Sequence, residues 1–190
     1  MVDSVLKEQR KKAAKPMLWI GMVSMAMLFA GLTSGYIVRR AEGNWIVFDL
    51  PSEMWYSTIA IVLSSVTMIF ALRAAKAQNR NNMLLGLALT LVLGLVFTYF
   101  QFASFEVLIN GGVYFTGESS NAAGSFLYVI VIAHLVHVAF GFISLLYMMF
   151  NGLRGKYDNG NTLGIEIGSQ FWHFLDGVWI YLFVFLMLVR

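Results

Sequence analysis

The chain has 190 residues, 59% of them apolar and 12% charged, with 13 Lys and Arg against 10 Asp and Glu. So apolar a sequence cannot be wrapped around one small water-soluble core, which sets aside soluble enzymes and gives the isoelectric point near 9.2 no nucleic-acid meaning. Because the sequence contains no cysteine, disulfides, thiolate metal sites and a catalytic thiol are excluded as well.

Residues 1–16 form a basic tail with Lys7, Arg10, Lys11, Lys12 and Lys15, ending at Pro16. Proline suits the first turn of a helix, where its missing N–H would have no intrahelical partner. An apolar span follows over Met17–Val38. At about 22 residues, and without a small-residue cleavage site, it reads as a retained anchor rather than a removed leader. Gly31 and Gly35 lie four apart on one face of it, a spacing that lets another helix come close. The second span covers Met54–Leu72 and the third Met83–Phe105, where Gly86, Thr90, Gly94 and Thr98 recur every fourth residue. Gln101 and Glu106 lie at the far end of that third span. The fourth, Ser125–Phe150, carries His134, His137 and Gly141, and the fifth, Gln170–Val189, carries His173, Asp176 and Gly177 between Trp172 and Trp179. Each stretch is near the roughly 20 residues that cross a bilayer, so residues 17–190 are predicted to form one all-α domain of five transmembrane helices. The connections are too short to hold another folded domain.

Orientation follows from the basic residues, which are retained on the cytoplasmic side. The tail supplies five, the second connection three (Arg73, Lys76, Arg80) and the fourth two (Arg154, Lys156), against Arg39, Arg40 and Arg190 on the other side. The N-terminus is therefore expected in the cytoplasm and the C-terminus outside.

A charge at the centre of a spanning helix costs roughly 2.5–3.5 kcal/mol on insertion scales, so Asp176 needs a partner on another helix or subunit. Glu166, Gln170, His173 and Asp176 follow at spacings of four, three and three, a polar stripe entering from the cytoplasmic surface, and two tryptophans beside it offer indole N–H donors. Three readings compete. A metal site at His134-x-x-His137 is weakly supplied with ligands, because His173 lies about 10 Å nearer the cytoplasm by helical rise. A proton or solute path of the chain's own could run along the stripe, with Gln101, Glu106 and the two fourth-span histidines continuing it, although no internal repeat or broken helix of the transporter type is visible. The third reading is a set of hydrogen-bonded clamps that fix the helices to each other and to a larger partner.

The segment from Glu166 through Trp172-His173-Phe174-Leu175-Asp176 to Trp179 resembles the closing signature of subunit III of the heme-copper oxidases, a Glu followed by Tyr-Trp-His-Phe-Val-Asp and a Trp three residues on. Gly94-x-x-Phe97-x-x-x-Gln101 with Phe105-Glu106, and His134-x-x-His137-Val138 with Gly141, resemble two further helices of that family. The agreement covers about Leu84 to Arg190 in detail, and five spans match the family's short bacterial form. Phe171 stands where the family has Tyr, and Met25 falls where it often has a membrane-buried Glu.

The resemblance implies a non-catalytic subunit of a cytochrome c or quinol oxidase in the bacterial inner membrane. This chain would carry no catalytic residue, metal or redox centre, the hemes and copper lying in partner subunits I and II. Its implied work is to pack against subunit I, hold phospholipid at the interface and sustain proton uptake while oxygen is reduced to water. On this view Glu166, His173 and Asp176 fix the last helix, and His134, His137, Gln101 and Glu106 tie the fourth to the third. Gly31, Gly35, Gly86, Gly94, Gly141 and Gly177 serve helix packing, and Trp172 and Trp179 are interface aromatics. A nitric-oxide-reductase-associated protein of the same family and an independent transporter are the alternatives.

Overall fold

The computed structural model describes residues 2–41, 45, 49–117, 120–158, 160 and 162–189, with side chains from residue 13 onward. Among these residues there are five helices and no strand: α1 (Val2–Arg40), α2 (Glu53–Lys76), α3 (Arg80–Asn110), α4 (Ala122–Leu153) and α5 (Leu163–Val189). Each encloses one of the apolar spans and is long and apolar enough to cross a membrane. The start of α1 differs from the expectation, because Pro16 lies inside the helix and not in its first turn. A proline forfeits one backbone hydrogen bond, and the alanines and lysine before it are strong helix formers that carry the helix through.

The helix ends are set by local chemistry. Asn79 and Asn121 cap α3 and α4, their side chains accepting from the backbone N–H groups of Asn82 at 3.2 Å and Ala123 at 2.9 Å. Three helices stop the same way, with one residue in the left-handed region and a pair of backward backbone bonds. After α3 that residue is Gly112 at φ 81°, and after α4 it is Gly155 at φ 70°, both free of a Cβ penalty. After α2 it is Gln78 at φ 56°, whose N–H reaches Ala75 O at 3.1 Å while Asn79 N–H reaches Ala74 O at 2.9 Å. The short turn folds α2 back on α3, and at Gly86 the backbones come so close that a Cβ there would lie 2.9 Å from Ala71 Cα.

Helix α5 is the hub. It packs against α1, α2 and α4 and reaches α3 through Trp172 and Trp179, while among the described helices α1 meets α4 and α5 alone. The centre of the bundle is a ring cluster in which Trp179 lies 5.2 Å from Phe97 of α3 and 5.3 Å from His134 of α4. Phe29 of α1 stands 6.1 Å from the same imidazole.

Candidate functional site

The polar stripe of α5 meets hydroxyls that α2 supplies. Thr58 and Ser65 are seven residues apart and share one helical face, and Ser64 stands beside Ser65. Ser65 Oγ donates to Asp176 Oδ2 at 2.5 Å and lies 2.8 Å from His173 Nδ1. A hydroxyl has a single proton, so once it donates to the carboxylate it accepts from the ring, which fixes the proton of a neutral His173 on Nδ1. Trp172 Nε1 donates to Ser64 at 3.0 Å, and Trp179 Nε1 donates to Thr58 at 3.0 Å. Four hydrogen bonds thus seal α5 to α2 along about two turns. Asp176 is 3% exposed, and its Oδ1 has no partner among the described residues.

Glu166 gathers basic residues of two other helices. Its Oε2 accepts from Lys15 Nζ of α1 at 3.0 Å, and its Oε1 lies 3.9 Å from Lys76 Nζ of α2 and accepts from Thr162 at 3.2 Å. Arg80 and Asp158 pair at 3.6 Å in the same region. These contacts bring Lys15, the α2–α3 turn and the α4–α5 connection to one end of the bundle. The side chains of Lys7, Arg10, Lys11 and Lys12, and the whole of Arg190, lie outside the described residues.

Of the four residues expected to join α4 to α3, His134 faces α3 through its ring, 6.0 Å from that of Phe97. Gln101 Nε2 donates to Ser57 Oγ of α2 at 2.7 Å, and its own Oε1 has no partner among the described residues. His134 is fully buried among rings, with neither nitrogen hydrogen-bonded among the described residues. His137 Nδ1 bonds Ala133 O of its own helix at 2.7 Å and packs its ring on Phe29. Glu106 is exposed. His134 and His137 share the Phe29 ring while His173 bonds Ser65, and among the described residues no three His, Asp or Glu stand close enough to hold a metal. Gln170 of the stripe is exposed.

The glycines divide into two kinds. A Cβ on Gly94 would meet Trp172 at 3.0 Å, and one on Gly141 would meet the same indole at 3.1 Å, so α3 and α4 together form a slot for Trp172. Gly86 admits α2, as described, and Gly35 faces the Phe126 ring at 3.4 Å. Gly31 and Gly177 have open space around them. Beside Gly177 runs a groove of about 480 Å³ between α1 and α5, lined by Ala26, Phe29, Ala30, Phe174, Val178 and Tyr181.

The partners missing from the sequence reading are Ser57, Thr58, Ser64 and Ser65, together with Thr67, which pairs with Thr90 of α3 at 2.8 Å. Their signal is the seven-residue repeat of adjacent hydroxyls in an otherwise apolar span, in which Ser57 faces α3 while Thr58, Ser64 and Ser65 face α5.

A sequence profile of cytochrome c oxidase subunit III matches residues 48–189, which takes in α2 through α5 and the whole hydroxyl seam. Curated relatives include cytochrome c oxidase subunit 3 of Bacillus sp. strain PS3, 27% identical over 90% of this chain and 83% of that protein. The probable cytochrome c oxidase subunit 3 of Rickettsia felis is 31% identical over 96% of this chain and 72% of its own length. Cytochrome bo(3) ubiquinol oxidase subunit 3 of Buchnera aphidicola is 30% identical over 90% and 84%. A match that spans the hydroxyl seam and the clamped last helix together leaves one conclusion: the chain belongs to the cytochrome c oxidase subunit III family.

Proposed function

We propose that this chain is a non-catalytic subunit of a respiratory heme-copper oxidase in the bacterial inner membrane, with its N-terminus in the cytoplasm and its C-terminus in the periplasm. Hemes and copper belong to subunits I and II. This chain packs on subunit I, binds phospholipid at that interface and supports proton uptake during oxygen reduction. The family match over residues 48–189 carries the reading. The gathering of Lys15, Lys76 and Arg80 at one end supports the orientation, since basic residues at the ends of spans favour the cytoplasmic side. The seam between α2 and α5 supports a holding role, because its groups bind one another and present no reacting pair to a substrate.

The test is gentle detergent purification of the tagged chain from its native membrane, followed by a reduced-minus-oxidised spectrum. Heme bands co-eluting with large partner subunits support the proposal and identify the oxidase type, whereas a colourless, monodisperse chain refutes it. Within a complex, Asp176→Ala removes the acceptor of Ser65 and is expected to lower the yield of assembled oxidase or shorten its activity in turnover. Heme spectra of the surviving complex stay unchanged. An altered heme spectrum in a fully assembled variant would contradict a holding role.

A further inference from the structure

Glu166, His173, Gly177, Ile180 and Val184 follow one another at spacings of seven, four, three and four, so they share one face of α5. That face is open. Gly177 is exposed with nothing within 4 Å of where a Cβ would sit, and Ile180 and Val184 are 39% and 40% exposed. Helices α1 and α2 flank it without approaching each other among the described residues, which leaves a trough with α5 as its floor. At one end Glu166 closes the trough by holding Lys15 of one wall and Lys76 of the other. The groove beside Gly177 continues toward a second concavity of about 380 Å³ along Tyr181, Val184 and Leu188.

A polar atom without a partner among the described residues opens into this trough. His173 is half-buried, its Nδ1 is committed to Ser65, and its Nε2 has no partner among the described residues and is not sealed inside. With the ring proton on Nδ1, Nε2 is an acceptor. It stands halfway along both helices, since Ser65 is central in Glu53–Lys76 and Asp176 is central in Leu163–Val189. Acyl chains have no donor to offer there, and an unpaired polar group facing hydrocarbon is costly. A partner helix has one, and an open glycine floor admits its backbone closely.

We infer that the trough between α1 and α2 seats a transmembrane helix of a partner subunit, which presents a hydrogen-bond donor to His173 Nε2 above the open floor at Gly177. The partner's presence rests on the oxidase-subunit reading; the face it occupies does not. Lipid is the competing occupant.

The sequence has no cysteine, so single cysteines can carry a photo-crosslinker cleanly. Val62→Cys and Ile180→Cys border the trough, and Ile143→Cys on the outer face of α4 is the control; these positions are 43%, 39% and 62% exposed. Each variant is labelled with benzophenone maleimide in native membranes, irradiated and purified, and its adducts are identified by mass spectrometry alongside the heme spectrum. The expected result is a partner's transmembrane peptide joined to positions 62 and 180 and lipid alone at 143. Lipid alone at 62 and 180, in preparations that retain heme, overturns the docking face and leaves the oxidase reading intact. Peptides of a membrane protein without heme keep the face and overturn the oxidase reading. His173→Leu is expected to weaken retention of the chain through detergent washing about threefold, the worth of an average interhelical hydrogen bond, and His173→Gln, which keeps an acceptor, to weaken it less. Equal losses from the two variants overturn the part assigned to Nε2.

Discussion

Replacing Gly86 by Ala is the sharpest probe of the bundle, because the added methyl group points at backbone that cannot turn aside. Its Cβ would lie 2.8 Å from Ala71 Cβ and 2.9 Å from both Ala71 Cα and Ala71 N, whereas ordinary contact begins at 3.4 Å. Helices α2 and α3 must therefore part locally by roughly half an ångström or more, a displacement of the size that makes overpacking cost about 1–3 kcal/mol. The same parting stretches the Thr67–Thr90 bond, now 2.8 Å and one turn away, which adds about 0.6 kcal/mol. Alanine returns up to about 1 kcal/mol of helix propensity. The net expectation is a loss of about 0.6–2.6 kcal/mol. Gly31→Ala, with nothing within 4 Å, keeps the propensity gain alone and is the internal control. The assay is the SDS fraction at the unfolding midpoint in mixed micelles, read by the fluorescence of the buried Trp172 and Trp179. A Gly86→Ala protein as stable as Gly31→Ala would refute the argument that α2 and α3 meet backbone to backbone.

Gln78→Gly relieves the left-handed residue after α2 and is expected to raise the same midpoint by the equivalent of about 1 kcal/mol, the penalty of that conformation for a residue with a Cβ. An unchanged or lower midpoint would show that its side chain compensates, for instance through the 3.4 Å contact to Ala75 O. Trp172→Ala empties the slot between Gly94 and Gly141 and is expected to cost about 3–5 kcal/mol, while Trp172→Phe retains most of the contact and loses chiefly the bond to Ser64. Similar losses from the two substitutions, measured by SDS titration, would count against the slot. Lys15→Glu with Glu166→Lys restores a pair that either change alone breaks; with side chains 48% and 26% exposed, the coupling in a double-mutant cycle is expected to stay below about 1 kcal/mol and to shrink with added salt. A larger, salt-independent coupling would contradict that exposure.

The five helices were legible because twenty-residue apolar runs have one common meaning, and so was the need of Asp176 for a partner, because a carboxylate at mid-span is expensive. The partner's identity was not. Serine and threonine in an apolar helix ordinarily bond their own carbonyls, as Ser57 does with Met54 O at 2.8 Å and Ser64 with Ile61 O at 2.7 Å, so the repeat of hydroxyls in α2 does not by itself say that the same oxygens also accept from Gln101 and Trp172. The histidines show the reverse limit. His134 and His137 share a face by spacing and both touch Phe29, yet one is enclosed by Phe97 and Trp179 as well while the other bonds its own backbone. Glycine spacing was equally blind to use: Gly31 resembles Gly86 in sequence and differs from it wholly in surroundings.

The restriction of α1 to contacts with α4 and α5 fixes an order of events during synthesis. About 120 residues separate the end of α1 from the start of α5, which at roughly 5–20 residues per second is some 6–25 s of translation. Through that interval the earlier helix resides in the bilayer without the neighbour that will hold Thr33 and Lys15. Its composition suits the wait, since Met22, Phe29 and Tyr36 tolerate acyl chains as well as protein, and Thr33 already donates to Phe29 O at 2.9 Å before the Tyr181 hydroxyl arrives at the same distance. A nascent chain halted ahead of Leu163 would leave α1 with α4 as its one neighbouring helix among those described, so completion of the last helix is the moment at which the first becomes committed to the bundle.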